Sequence, residues 1–354
     1  MNKKAVDVQF NWIFVLIAGA VILAFFFSVV QKQRALSEEK LAIALSSQMD
    51  AIFTGAIERQ STIQTLVTPQ PGIAFACSDV CECTYRIGSK STEFRDKILF
   101  APALIKDQDA LAWAVEWERP FRIANFLLLT NPTIKYYLIY DKDDPTTQSP
   151  QLFARLSKGL PKELNIETLQ YPDRISGLTP QGYAETRFIF LSTPQKPTLE
   201  SLNSGFAKED VSGLWIDADG QQAIFYEKRD SGKPSFDSYP TALAGDATAY
   251  GAMFAADHDM YNCMMRRAFR QMDIIARISA ERAKLLQQAM DAQNPPRAEC
   301  AYDAQHLTGV AGDAAKLATA FPDDKEALGA IAAAQAELKR ENDNLFPQSC
   351  PVIY

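Results

Sequence analysis

From Trp12 to Val30 the chain reads WIFVLIAGAVILAFFFSVV, nineteen residues without a charge, with Ser28 its only polar side chain. At 1.5 Å rise per residue such a helix covers roughly the 30 Å hydrocarbon thickness of a bilayer. A core helix of a soluble protein keeps a polar stripe, and this stretch has none. It predicts a helix whose solvent is lipid, so the bilayer is the first expected partner, through Trp12–Val30. The stretch also exceeds the ~7–15 apolar residues of a secretory signal, and Gln31, Lys32, Gln33 and Arg34 follow it without a small-x-small site. An uncleaved anchor is the expectation.

Charge does not orient that anchor. Lys3 and Lys4 precede the span, while Lys32, Arg34 and Lys40 follow it, so the positive-inside rule gives no clear direction. Cysteine usage does better. The six cysteines of this 354-residue chain, Cys77, Cys81, Cys83, Cys263, Cys300 and Cys350, allow three bridges in an oxidising compartment. This predicts a cell-membrane protein whose C-terminal part is extracytoplasmic; the alternative is reduced thiols in a cytoplasmic domain. A net charge of −7 argues against a nucleic-acid binder, whose partner phosphates demand a basic face.

The expected fold class is α+β: a transmembrane helix extended into a mixed α/β ectodomain, then a C-terminal three-helix bundle. The expected segments are a tail at 1–10, the span at 11–31, a membrane-proximal helix at 32–66, a mixed α/β domain at 67–240 and a helical domain at 241–354. Leu36, Leu41, Leu45, Met49, Ile52 and Phe53 recur at helical steps, and neither Gly nor Pro occurs between Ala20 and Gly55, so one helix can leave the membrane and enter the head. Strands are expected at Ile73–Ala76, Thr84–Ile87, Ile98–Ala101 and Leu111–Trp117, with Pro71-Gly72 and Gly88 between them. Ile134–Tyr140 (IKYYLIY), a helix at Pro150–Leu160, Asn165–Gln170 and Arg187–Leu191 read as a partly parallel sheet with a crossover helix. Leu214–Ile216 and Ala223–Tyr226 flank Asp217-Ala218-Asp219-Gly220, a hairpin signal.

Three helices are expected near 256–290, 300–320 and 323–345, broken at Asn294-Pro295-Pro296 and Phe321-Pro322. Ile331, Leu338 and Leu345, spaced by sevens, form an apolar seam suited to core packing or to a partner coiled coil. If consecutive helices are antiparallel, Cys300 and Cys350 fall at one end of the bundle, within disulfide reach. Cys263 lies near the other end, to pair with the Cys77–Cys83 group or remain free.

Chemistry is sparsely signalled. Cys77-x3-Cys81-x-Cys83 lacks the two-residue spacing of zinc knuckles and has no nearby histidine, so a disulfide-stapled hairpin is preferred over a metal site. His258 between Asp257 and Asp259 reads as a solvated helix cap, and neither it nor His306 has an evident partner. Asp217-x-Asp219-Gly220 has Gly220 fourth and Lys228 twelfth, which is not a calcium loop. No cofactor is expected.

Asp141, Asp143 and Asp144 follow the strand IKYYLIY and precede a helix, at the strand end where open α/β sheets bind ligands. A strand followed by Asp-x-Asp resembles the first motif of haloacid-dehalogenase-type phosphatases. Phe188–Leu191 with Ser192 and Thr193 resembles their second motif, and Lys196 their lysine. The resemblance implies Asp141 as nucleophile, Asp143 as acid and Mg²⁺ as charge neutraliser. Asp144-Pro145 departs from the pattern, and no later strand ends in a paired Asp. The preferred reading is an acidic turn that solubilises a strand-to-helix loop, with Asp141 and Asp143 kept as the catalytic candidates of the phosphatase alternative.

Lys3-Lys4-Ala5-Val6-Asp7-Val8-Gln9-Phe10 before a long apolar helix resembles the leader of archaeal type IV pilin-like proteins, with Gln9-Phe10 in place of Glu-Phe and without the glycine usual at the cleavage point. Phe10–Leu16 also resembles uncharacterised archaeal single-pass membrane proteins. The resemblance implies assembly through the N-terminal helix, where Gly19 would permit close helix packing. Together these readings lead to a non-enzymatic, membrane-anchored binding or structural protein of the cell envelope that acts through protein partners. A pilin-like filament or surface-assembly subunit is the second expectation and the Mg-dependent hydrolase the third.

Overall fold

The structure, a computed structural model, describes residues 3–58, 63–69, 72–94, 97–144, 146, 148–171, 178–179, 181–192, 199, 210–228 and 236–354. Helix α1 (Lys3–Glu58) is continuous, as the lack of Gly and Pro between Ala20 and Gly55 permits. Its Val15–Gln33 segment is long and apolar enough to cross a membrane, and none of it is buried by the rest of the chain. Two expected boundaries shift. The tail at 1–10 is helical from Lys3, and the membrane-proximal helix expected to reach residue 66 ends at Glu58, because Ile63–Leu66 forms strand β1. There the sheet ladder to a later strand supplies hydrogen bonds that outweigh helical continuation.

Strands β2 (Ile73–Cys77), β3 (Cys83–Ile87), β4 (Lys90–Glu93), β5 (Leu99–Phe100), β6 (Leu104–Ile105), β7 (Ala110–Glu118) and β8 (Arg122–Thr130) build two four-stranded sheets, ordered β1-β7-β8-β5 and β4-β3-β2-β6. The end of α1 lies on both sheets, inserting Phe53 against Tyr85 and Phe75, with ring centroids 5.5 and 6.3 Å away.

β9 (Ile134–Asp141), helix α2 (Gln148–Gly159), β10 (Ile166–Tyr171), β11 (Glu185–Ser192), β12 (Asp210–Asp217), β13 (Gln222–Lys228) and β14 (Phe236–Ala242) follow. Their six strands are ordered β10-β9-β11-β12-β13-β14. The first four run parallel, and β12–β13 and β13–β14 pair antiparallel. Alternate residues of β9 enter different cores: Tyr136 and Leu138 join the main one, Tyr137 and Ile139 a second on the opposite face. Burial on both faces is why IKYYLIY is almost continuously apolar. The β12–β13 hairpin closes with Gly220 at φ 72°, and its N–H donates to Asp217 O at 2.7 Å. A left-handed turn position of this kind favours glycine.

The C-terminal part adds a short helix α3 (Asp246–Phe254) ahead of α4 (His258–Asp291), α5 (Ala304–Ala320) and α6 (Lys325–Leu345). The three long helices expected here form, and they are not set apart from the sheets. α4 packs along α5, and α5 along α6, but the first half of α4 lies on the strands. Met264 and Met260 sulfurs accept from Leu99 N and Ala101 N at 3.3 and 3.5 Å, and Phe269 meets Trp117 edge-on at 5.4 Å. The methionine-rich start of α4 is thus core for the sheets, and one apolar cluster runs from α1 to Ile353. Ile331, Leu338 and Leu345 are buried in that cluster, so the seven-residue seam is core packing. Arg187 on β11 is 4% exposed and fixes the sheet to the α3–α4 connection. Its guanidinium donates to Met253 O, Ala255 O and Ala256 O, and pairs with Glu185 at 2.9 Å.

Three disulfides staple this arrangement: Cys77–Cys83 across β2 and β3, Cys81–Cys263 from their turn to α4, and Cys300–Cys350 at the end of the α5–α6 hairpin. Closing the 50-residue separation of the last stabilises the fold by about 4 kcal/mol in the chain-entropy model.

Candidate functional site

The parallel strands place a topological switch point between β9 and β11, because β10 and β12 lie on opposite sides of that pair. Ligands of open α/β sheets settle at such a point, outside the carboxyl strand ends. Asp141 ends β9, Ser192 ends β11 and Asp217 ends β12. The first turn of α2 lies over this edge. Buried Ser149 receives Asp141 N on its Oγ at 3.0 Å and donates that hydroxyl to Leu191 O.

The carboxylates of Asp141, Asp144 and Asp217 each accept a backbone N–H of their own loop. Asp144 is buried and accepts Ser149 N and Thr146 N, each at 3.0 Å. These backbone donors, with the Thr146 hydroxyl, hold its carboxyl below the ordinary carboxylate range. Asp141 Oδ1 accepts Asp143 N at 3.0 Å, a local turn that leaves Asp143 exposed. The helix N-terminus that would receive a phosphate is therefore capped by the chain's own carboxylate, with two more beside it, and a phosphate would meet negative charge there. Burial, together with the Asp219 charge, raises the Asp217 carboxyl, and the Ala218 N–H opposes it. Thr193 and Lys196, matched to the phosphatase pattern, lie outside the described residues, as does Pro145.

Both histidines have partners that local sequence does not reveal. Asp257, not His258, caps α4, accepting Met260 N at 2.8 Å. His258 stacks on Tyr239 at 3.7 Å with planes 4° apart. Its Nδ1 lies 3.0 Å from Glu227 Oε1, and its Nε2 lies 3.4 Å from Asp259 Oδ1. Burial alone would lower the imidazole, but the Glu227 hydrogen bond and the charges of Glu227, Asp259 and Asp257 raise it on balance. His306 Nδ1 sits 3.3 Å from Glu341 and 3.4 Å from Asp303, tying α5 to α6. One imidazole and two carboxylates within 4.8 Å of one another form a donor set that zinc accepts; as they stand, the three groups already satisfy one another at a half-exposed surface. The reading of both histidines as lacking partners is corrected: Glu227 and Glu341 lie 31 and 35 residues away in sequence. The thiols of Cys77, Cys81 and Cys83 are all bonded to other cysteines, which leaves none to ligate zinc.

A concavity lies elsewhere. A groove of about 480 Å³ runs between α1 and the β1 edge. Leu45, Met49, Ile52 and Ala56 form one wall, Leu66 and Val67 the other, and no charged residue lines it. Val67 is 75% exposed. Only helical spacing along α1 and the apolar Leu66-Val67 pair signalled this groove in the sequence.

No protein-family model, curated protein or solved structure matches the chain.

Proposed function

We propose that this chain is a membrane-anchored, extracytoplasmic protein of the cell envelope that works by binding protein partners rather than by catalysis. The observation that carries the reading is the continuity of α1. One unbroken helix has an apolar segment, Val15–Gln33, of which nothing is buried, and a downstream segment whose Met49, Phe53 and Ala56 are core residues of the head. Such a helix holds the folded head at a fixed, short distance from the lipid. All six cysteines are paired, which fits an oxidising compartment. The acidic strand edge is organised as a helix cap, which gives the hydrolase reading little support.

The experiment is fractionation of the full chain from its membrane, followed by mass spectrometry of alkylated cysteines without reduction. Retention in the membrane pellet after alkaline carbonate washing, with all six cysteines protected, is the expected result. Recovery in detergent-free buffer with alkylatable thiols would overturn it. A filament subunit is the second reading, supported by the same passage of one helix from an apolar exposed stretch into a β-containing head.

A further inference from the structure

The α5–α6 hairpin brings together three side chains of metal-ligand type. Asp303 caps the start of α5, His306 lies three residues further on, and Glu341 stands near the end of α6. His306 Nδ1 is 3.4 Å from Asp303 Oδ2 and 3.3 Å from Glu341 Oε1, and the three ligand atoms lie within 4.8 Å of one another. Charge and spacing both set this cluster apart from an ordinary surface ion pair. Among the described residues no lysine or arginine pairs with either carboxylate, so beside a neutral imidazole two negative charges stand without a cation. A charge-assisted hydrogen bond to a carboxylate is about 2.7–2.9 Å long, and both contacts exceed that. Ligands held about 2.0–2.1 Å from a tetrahedral ion stand about 3.3 Å from one another, which is the spacing of Nδ1 from both oxygens.

We propose that Asp303, His306 and Glu341 bind one divalent transition-metal ion of the zinc class, through Oδ2, Nδ1 and Oε1, with water as the fourth ligand. Imidazole favours zinc and its neighbours over magnesium and calcium, which take oxygen ligands. The ligands are positioned before an ion arrives. Asp303 Oδ1 accepts Gln305 N at 2.7 Å and His306 N at 3.2 Å, which orients the carboxylate and leaves Oδ2 for the ion. Beside Glu341, Asn342 accepts Ile353 N at 2.8 Å and donates to Tyr354 O at 3.0 Å, fixing this turn of α6. The Cys300–Cys350 disulfide ties the segment entering α5 to the segment leaving α6. The side chains of His306, Asp303 and Glu341 are 43%, 39% and 31% exposed, so an ion and its water enter from solvent without opening the fold. Because α5 supplies two ligands and α6 the third, the ion cross-links the hairpin and stabilises it by linkage.

The test uses the full oxidised chain without a polyhistidine tag, in mild detergent, stripped of metal by a chelator and titrated with zinc chloride by calorimetry. One equivalent is expected to bind, magnesium is expected not to compete, and zinc is expected to raise the thermal unfolding temperature of the head. His306→Ala and Glu341→Gln are each expected to weaken binding at least tenfold and to remove the thermal shift. Glu337→Gln, one turn away on α6 and paired with Arg340, is expected to change neither. Cobalt(II) in place of zinc is expected to give the strong visible absorption of a tetrahedral ion. Glu341→Gln and the cobalt spectrum of the wild type decide the matter even if His306→Ala does not fold. No saturable zinc binding by the wild type overturns the proposal. So does an equivalent that both variants retain, which would place the ion on other residues, and so does the weak spectrum of octahedral cobalt. These outcomes are the same whether the chain is recovered from membranes or from buffer, so they are separate from the fate of the anchored reading.

Discussion

The two halves of α1 share a backbone and differ in what surrounds them. Between Val15 and Gln33 no position is buried, and the large side chains Leu23, Phe25, Phe26 and Phe27 are each at least 60% exposed. Between Ala42 and Ala56, burial falls on Ala42, Ser46, Met49, Phe53 and Ala56, at steps of four, three, four and three, while Ile43, Ser47 and Ala51 remain exposed. The upstream half is apolar all round and so can be satisfied only by a medium that is apolar all round. The downstream half is apolar along one seam and is satisfied by two sheets. Hydrophobicity alone does not separate these cases, since Phe26 and Phe53 are the same residue in the same helix. The distribution of Ser, Gln and Asp around the helix does.

The largest effect that would break this contrast is truncation of the two phenylalanines. Phe53 is 0% exposed and contacts both Phe75 and Tyr85. Phe53→Ala is expected to destabilise the head by about 3–5 kcal/mol, the cost of a deleted core aromatic with its cavity. Phe26→Ala is expected to leave head unfolding within about 0.5 kcal/mol of the wild type. Denaturant titration of both variants in the same detergent separates them, and equal losses would mean that the upstream half also belongs to the protein core. A charge in the upstream half tests the other side of the contrast. Leu23→Arg places a guanidinium near the middle of the span at a cost of about 2.5–3.5 kcal/mol on the insertion scale. The expected readout is a large fall in the carbonate-resistant fraction with no change in head stability. An unchanged fraction would show that lipid does not surround Leu23.

How much of this was legible in the sequence follows the same division between local and distant causes. The apolar N-terminal helix, the continuity of α1, the run β9-α2-β10 and the β12–β13 hairpin each follow from a rule that acts within about ten residues. Strand β8 carries no such local signal: its stretch Phe126–Thr130 is buried without alternation, so no period distinguishes it. β1 falls inside the helix expected to reach residue 66, because only its ladder to β7 through pairs such as Ile63 with Trp113 makes it a strand. The role of the α4 methionines in the sheets was hidden for the same reason, since they fit a helical core until Leu99 and Ala101 supply further neighbours. At the candidate sites, Asp141 and Asp143 were legible as an acidic turn. The Glu227 and Tyr239 partners of His258 were not, because β13 and β14 bring them there through the sheet. The groove beside α1 needed both the helix and β1 to be placed correctly, and the helix boundary at 66 concealed it.

A smaller effect sharpens the contrast at a single hydrogen bond. Tyr85 is fully buried, and its hydroxyl donates to Ser46 O on α1 at 2.7 Å. Burial, and after it the Asp50 charge, raises the phenol above its ordinary value, with the Thr92 hydroxyl opposing. A folded-state value above the unfolded one means that the folded head retains the proton more strongly. The stability linked to that proton is therefore fully present below the unfolded pKa of about 10 and is lost as pH rises through the folded value. Tyr85→Phe is expected to cost about 1 kcal/mol at pH 7, the net worth of one hydrogen bond, since the aromatic packing on Phe53 survives. Above pH 10 the wild type should lose stability that the variant does not, so the gap between them closes. Urea titrations of both proteins at pH 7 and at several values above 9 measure this gap. A gap independent of pH would mean that the phenol does not seal the downstream half of α1 to the sheet, leaving the aromatic contact of Phe53 alone to hold it.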